Sequence, residues 1–202
     1  MQVQRVENTL GWAGETMREV ILASGSPRRQ ELLQLVIDHF EVCVSDVDET
    51  LPEGIAPRDA VEMLAQRKAQ TVAELRPHAL VIGADTVVAV EGRILGKPRD
   101  DEQAAEMLRM LSGRTHQVYT GVAVCEKNKS NVFSCCTQVE FAPLSEAEID
   151  WYLSTGEPFD KAGGYGIQGY GARFVKGISG DYFNVMGLPV NRLYTILGRI
   201  DK

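Results

Sequence analysis

Two arginines stand where a helix should repel them. In 21-ILASGSPRRQELL-33 an apolar, strand-like run gives way to helical apolar spacing, with Ser26 suited to the N-cap and Pro27 to the first helical position. Arg28 and Arg29 therefore fall in the first turn, where the helix dipole is already positive and acidic side chains are favoured. One reading leaves both as solvated surface residues. The other puts an anion there: the N–H groups of a helix start and two guanidinium forks match phosphate oxygens, and Ser24 and Ser26 offer hydroxyls beside them.

Other residue types along the chain suit the same chemistry. Lys68 falls inside the apolar stripe Val61, Leu64, Ala65, Val72 and Leu75 of a helix. Either its stem snorkels to water or that face borders a cleft in which the ammonium meets an anion. Asp85, in 83-GADT-86, follows the apolar core of a strand and faces the carboxyl end where α/β sheets bind ligands; a turn-capping role is the alternative. Asp48 and Glu49 close a second strand-like run, and carboxylates from two strand ends suit a hard divalent cation that also touches phosphate. Lys97 is pinned between Gly96 and Pro98. Lys161 opens 160-DKAGGYGIQGYGA-172, whose five glycines in thirteen residues allow tight bends or backbone contact with a ligand. Within it Gln168 carries an amide able to read a base edge. Neither a P-loop nor a dinucleotide fingerprint is present.

These residues need elements to hold them. The patterning predicts strands over 19–24, 40–49 and 79–85, helices over 27–37, 57–75 and 101–111, and a hairpin turning at Glu91-Gly92. A second hairpin follows, with strands over 116–125 and 132–141. Ser145 and Glu148 make a capping box for a helix through Ser154, and a last helix runs to about 197. Hairpins mixed with helical crossovers imply a mixed α/β sheet. Residues 1–18 lack periodicity and read as an N-terminal extension, leaving 19–202 as a single domain.

The 202 residues are 44% hydrophobic and 24% charged with net charge −7, ordinary globular material and too acidic to wrap a nucleic acid polymer or sit on an anionic membrane. No apolar run approaches the roughly 20 residues that span a bilayer, and the start lacks a signal-peptide pattern, so a cytosolic protein is expected. The four cysteines form no C-x-x-C pair, which reads as free, mostly buried thiols.

Taken together, SGSPRRQELL at 24–33, RKA at 67–69, GADT at 83–86, LGKP at 95–98, LSGRTH at 111–116, DKAGGYGIQG at 160–169 and VMGLP at 185–189 resemble the Maf family of nucleoside triphosphate pyrophosphatases, also described as septum-formation inhibitor proteins. The resemblance covers 19–197. It implies an elongated mixed sheet with flanking helices, folded as two lobes around a central cleft like the inosine triphosphate pyrophosphatases. It also implies hydrolysis of a nucleoside triphosphate between its α- and β-phosphates, dependent on Mg²⁺, Mn²⁺ or Co²⁺. The family's proton acceptor falls on Asp85, and its specificity positions fall on Arg28, Thr86 and Gln168, in the pattern of the dTTP/UTP branch. Ser24, Arg28, Arg29, Lys68, Lys97 and Lys161 then supply phosphate contacts in an acidic protein, with Asp85 and Glu49 as candidate metal ligands. A homodimer is left open. The competing readings are a nucleotide-binding regulator of septum formation without essential catalysis, and an enzyme for damaged purine triphosphates.

Overall fold

The computed structural model describes residues 18–126 and 129–200. The proposed extension thus lies, apart from Arg18, outside the described residues, as does the centre of the second hairpin's turn. Seven strands form one sheet in the order β2 (Glu41–Val42), β1 (Val20–Leu22), β3 (Leu80–Val90), β5 (Thr115–Glu126), β6 (Lys129–Phe141) and β7 (Val175–Ser179), with β4 (Arg93–Leu95) pairing β3 beside this path. β1 runs parallel to β2 and β3, and the remaining pairs are antiparallel, so the sheet is mixed as expected. The helices are α1 (Pro27–Gln34), α2 (Pro57–Leu75), α3 (Asp101–Leu111), α4 (Glu146–Ser154), α5 (Tyr182–Met186) and α6 (Val190–Ile200). No helix among the described residues is long and apolar enough to cross a membrane.

Three expectations need correction. The run 40–49 is a strand only at Glu41–Val42, both exposed; Val42 and Val44 alternate in sequence, but their side chains remain 43% and 69% exposed, so no burial drives further pairing. Asp85 does not end its strand. It sits midway along the eleven residues of β3, and the strand that stops is its neighbour: β1 pairs only as far as Ile82, and β4 takes up pairing at Val88. Between them β3 presents an edge that no strand covers among the described residues. The thiols are free, but only Cys125 is buried.

Side-chain alternation along β3 divides the protein. Gly83 and Asp85 point to one face, where α2 packs with Ala65, Ala69 and Val72. The helix lies very close: a Cβ on Gly83 would stand 2.4 Å from the Ala65 carbonyl oxygen, and one on Gly121 would stand 2.3 Å from that of Val61. On the other face, Leu80, Ile82 and Ala84 join Val122, Phe133, Leu188 and Leu193 in one apolar core. Val88 and Val90 join Val118, Val139, Leu108 and Ile149 in another. Thr86 and Thr120, partners in register, separate the two cores.

The second core contains a titratable group. His116 is fully buried, with Nε2 2.8 Å from the Tyr165 hydroxyl, its ring edge-on to Phe141, and Nδ1 without a partner. Burial pushes its pKa down to about 4. The unfolded chain, with a His pKa of roughly 6.5, binds the proton first, so this contribution to stability is complete above about pH 6.5 and fades as pH falls towards 4. The resulting loss between pH 7 and pH 4 is about 3 kcal/mol. Denaturant titrations across that range should show a shallower acid slope in His116→Gln than in the natural protein; equal slopes would show that His116 does not stay neutral in the fold.

Candidate active site

The uncovered edge of β3 opens into a cleft of about 870 Å³, lined by the β1–α1 junction, the loop carrying Glu49, α2, the centre of β3, Lys97 and the glycine-rich segment. The helix start expected from sequence is present. Ser26 has extended backbone, Pro27 occupies the first turn, and the Ser26 hydroxyl accepts from the Arg29 N–H at 3.4 Å. The helix ends at Gln34, three residues early.

Both arginines have partners inside the protein. Arg29 donates through Nε to the Gly187 carbonyl at 2.9 Å, through Nη1 to Ser24 Oγ at 3.1 Å, and through Nη2 to Thr86 Oγ1 at 3.1 Å. All three acceptors are neutral, so its charge is held in place without being cancelled in direct contact. Burial lowers its pKa, with the charge of Asp85 opposing that shift. An arginine nonetheless stays charged, because its ordinary value is so high. Arg28 reaches across the cleft to Asp160 at 3.1 Å, and Asp160 also accepts from Lys161 Nζ at 2.5 Å. One carboxylate thereby ties α1 to the glycine-rich segment.

Lys68 resolves the sequence ambiguity in favour of an anion. Its Nζ lies 2.6 Å from Asp85 Oδ1 and 2.7 Å from Glu49 Oε1, with both Lys68 and Asp85 almost withdrawn from water. The hydrogen bond from Lys68 holds the Glu49 carboxyl below its ordinary pKa. Asp48, by contrast, turns away to accept from the Thr50 N–H at 2.8 Å. Arg67 places Glu49: its Nη1 donates to the carbonyls of Asp48 and Thr50, on either side of it, at 2.9 and 3.1 Å.

A buried polar chain underlies Arg29. Asn184 donates through Nδ2 to Val118 O and Thr137 Oγ1, both at 3.0 Å, while its main-chain carbonyl accepts from Thr120 Oγ1 at 2.8 Å. Thr120 lies 2.9 Å from Thr86 Oγ1. Since the single hydroxyl proton of Thr120 goes to Asn184, Thr86 must donate to Thr120 and accept from Arg29. The order is fixed from Arg29 to Thr86 to Thr120 to the Asn184 carbonyl. Thr86 is committed to Arg29, and the sequence reading missed Thr120, Asn184 and Arg67. Only the bare fact of polar types within apolar stretches could have signalled the first two.

Lys97 lines the cleft and makes no ion pair among the described residues, and Gln168 is exposed at the cleft wall. For a cation, the donor set is two carboxylates converging on one point. No group of three or more His, Cys, Asp and Glu suited to a metal exists among the described residues. That excludes a closed zinc-type cage of described side chains and fits a magnesium-type ion, which commonly takes one or two carboxylates and completes its shell with phosphate oxygens and water.

Known proteins agree with this architecture. The Maf-like protein family profile matches residues 19–200. The dTTP/UTP pyrophosphatase of a Bacillus cereus strain is 54% identical over 185 residues, covering 92% of this chain and 97% of that protein. The dTTP/UTP pyrophosphatase of Bacillus cytotoxicus is 54% identical over 186 residues, with the same coverage of 92% and 97%. Among solved structures, the Staphylococcus aureus Ham1 protein superposes with a TM-score of 0.56 at 18% identity, over 91% of this chain and all of that one. A HAM1 protein from Coxiella burnetii gives 0.54 at 16%, with 91% and 100% covered. Those two likenesses concern the fold. With a family match across almost its whole length and relatives more than half identical to it, this chain belongs to the Maf-like protein family.

Proposed function

We propose that this protein hydrolyses nucleoside triphosphates between the α- and β-phosphates, taking dTTP, UTP and related pyrimidine nucleotides to the monophosphate and pyrophosphate. The observation that carries the reading is the junction of Arg29, Lys68, Lys97 and the α1 start with two carboxylates in one cleft. Relatives named for dTTP/UTP pyrophosphatase activity support the substrate class.

In this reading water attacks the α-phosphorus, the bond from that phosphorus to the bridging oxygen breaks, and pyrophosphate leaves with the bonding electrons. Asp85 gives Oδ1 to Lys68, leaving Oδ2 to orient the water and accept its proton. Arg29, Lys68 and Lys97 stabilise charge on the phosphate oxygens, and the fixed bonds of Arg29 mean little reorganisation accompanies the reaction. Glu49 and Asp85 would hold a divalent cation, which when bound neutralises charge on the triphosphate. Gln168 reads the base: its amide donates to O4 and accepts from N3–H of uracil or thymine at once.

Incubating the protein with Mg²⁺ and UTP should release UMP and pyrophosphate in equal amounts; UDP and inorganic phosphate would place cleavage at the other bridge, and no product would favour a nucleotide-binding regulator. Asp85→Asn should lower turnover about 10²–10⁴-fold in the same assay, since it removes basicity at nearly constant shape. Wild-type rates in that variant would remove Asp85 from the chemistry.

Gln168→Glu separates base reading from phosphate binding. A carboxylate can accept the N3 proton but faces O4 with negative charge, so kcat/KM for UTP and dTTP should fall about 5- to 150-fold while inhibition by pyrophosphate stays unchanged. Unchanged kcat/KM would mean that the base is read elsewhere.

A further inference from the structure

The glycine-rich segment that carries Gln168 is held by a carboxylate the proposed chemistry leaves unused. Glu157 opens the short 3-10 turn Glu157–Asp160 that follows α4. Its Oε2 accepts from the Tyr170 N–H at 2.7 Å, and its Oε1 accepts from the Gly171 N–H at 3.1 Å and from the Tyr152 hydroxyl at 2.8 Å. The same Tyr152 oxygen accepts from the Gly166 N–H at 3.2 Å. Tyr152 is fully buried, edge-on to Phe174 in the second core.

The bonds fall on both sides of one dipeptide. Gly166 is tethered on the N-terminal side of Ile167-Gln168, and Tyr170 and Gly171 on the C-terminal side, all through a single carboxylate–phenol pair. Burial pushes the Glu157 carboxyl up in pKa, but the Tyr170 and Gly171 amides, the Tyr152 hydroxyl and the charge of Lys161 together outweigh this and leave it below its ordinary value, so it is an anion at neutral pH. Two amide donors and one hydroxyl donor converging on an anion form a stronger tether than neutral acceptors would.

Gly169 is part of the same device. A Cβ there would stand 2.2 Å from Glu157 Oε2. The absence of a side chain at 169 is what lets the carboxylate reach the amides.

Resting on the nucleotide reading above, we infer that Glu157, acting with Tyr152, is a specificity-determining positioning residue that fixes the backbone on both sides of Gln168 so that its amide meets the nucleobase. In this role it acts through the backbone it holds and not through contact with base or phosphate. Its effect is therefore confined to the nucleoside half of the ligand, unlike that of Arg29 or Lys68.

The test measures binding by calorimetry with two probes, the non-hydrolysable α,β-methylene analogue of UTP and inorganic tripolyphosphate, which has no base. Glu157→Gln keeps the volume but presents an amide NH₂ to at least one of the three donors, so affinity for the uridine probe should fall about five- to a hundredfold. Affinity for tripolyphosphate should change by less than about twofold, and the preference for UTP over CTP in kcat/KM should shrink. Tyr152→Phe, which removes the Gly166 tether and one of the three donors to Glu157 but leaves both amide bonds to the carboxylate, should move in the same direction by less. Gly169→Ala should mimic Glu157→Gln in the natural background and add nothing in a Glu157→Ala background, where the obstructed carboxylate is gone. Parallel loss of both probes, or independent effects of the 157 and 169 substitutions, would overturn the proposal. A natural protein that binds tripolyphosphate but gains nothing from uridine would overturn the nucleotide reading itself, and this proposal with it.

Discussion

Close approach of α2 to the sheet sets where every charge in the cleft sits. Gly83 and Gly121 leave no side chain between the helix backbone and strands β3 and β5. Two residues further along β3, on the same face, Asp85 comes within 2.6 Å of Lys68. A side chain at either glycine would lift the helix, and Lys68 would lose the carboxylate that compensates its withdrawal from water. Removing one partner of such a pair costs far more than the pair contributes, because the remaining charge stays buried. The glycines are thus part of the electrostatics although they carry no charge.

The other face of β3 meets a different constraint. Its apolar residues divide into two cores, and the boundary is drawn by Thr86, Thr120 and Asn184. A continuous apolar core there would have left Arg29 without acceptors beneath it. The hydroxyl chain instead gives the guanidinium a seat of fixed donor order, from Thr86 to Thr120 to the Asn184 main-chain carbonyl, while keeping its charge uncancelled by direct contact. Two apolar cores thus flank one polar seam on this face of the sheet.

What the sequence made legible was local. α2 and α3 occupy the predicted ranges because apolar spacing and end signals lie within each segment, and the Ser145–Glu148 capping box forms as expected since it needs only four consecutive residues. The strand over 40–49 is shorter than expected because alternation reports a face available for burial, and Val44 stays largely exposed. β3 was read too short because Asp85-Thr86 interrupts its apolar run, although that interruption is the site. Lys68 was legible as an anomaly, a cation in an apolar stripe, but its partners were not. Arg28 meets Asp160 across 132 positions and Arg29 meets Gly187 across 158, separations for which residue type and spacing hold no signal.

The cleft's cations explain how an acidic chain can hold a polyanion. Lys68 is shared by Asp85 and Glu49, Arg28 and Lys161 converge on Asp160, and Arg29 rests on neutral oxygens. Ligand binding is therefore an exchange of partners as much as a gain of them. An anion with one charge would displace internal carboxylates for little net benefit, because each displaced group returns as an unpaired negative charge near the ligand. A triphosphate presents several charged oxygens at once along one chain, so a single ligand can stand in for several of these internal partners. A preference for a polyanion over single phosphates then follows from carboxylates that already neutralise the site, and the net charge of −7 is no obstacle, since its acidic groups within the cleft belong to the same exchange.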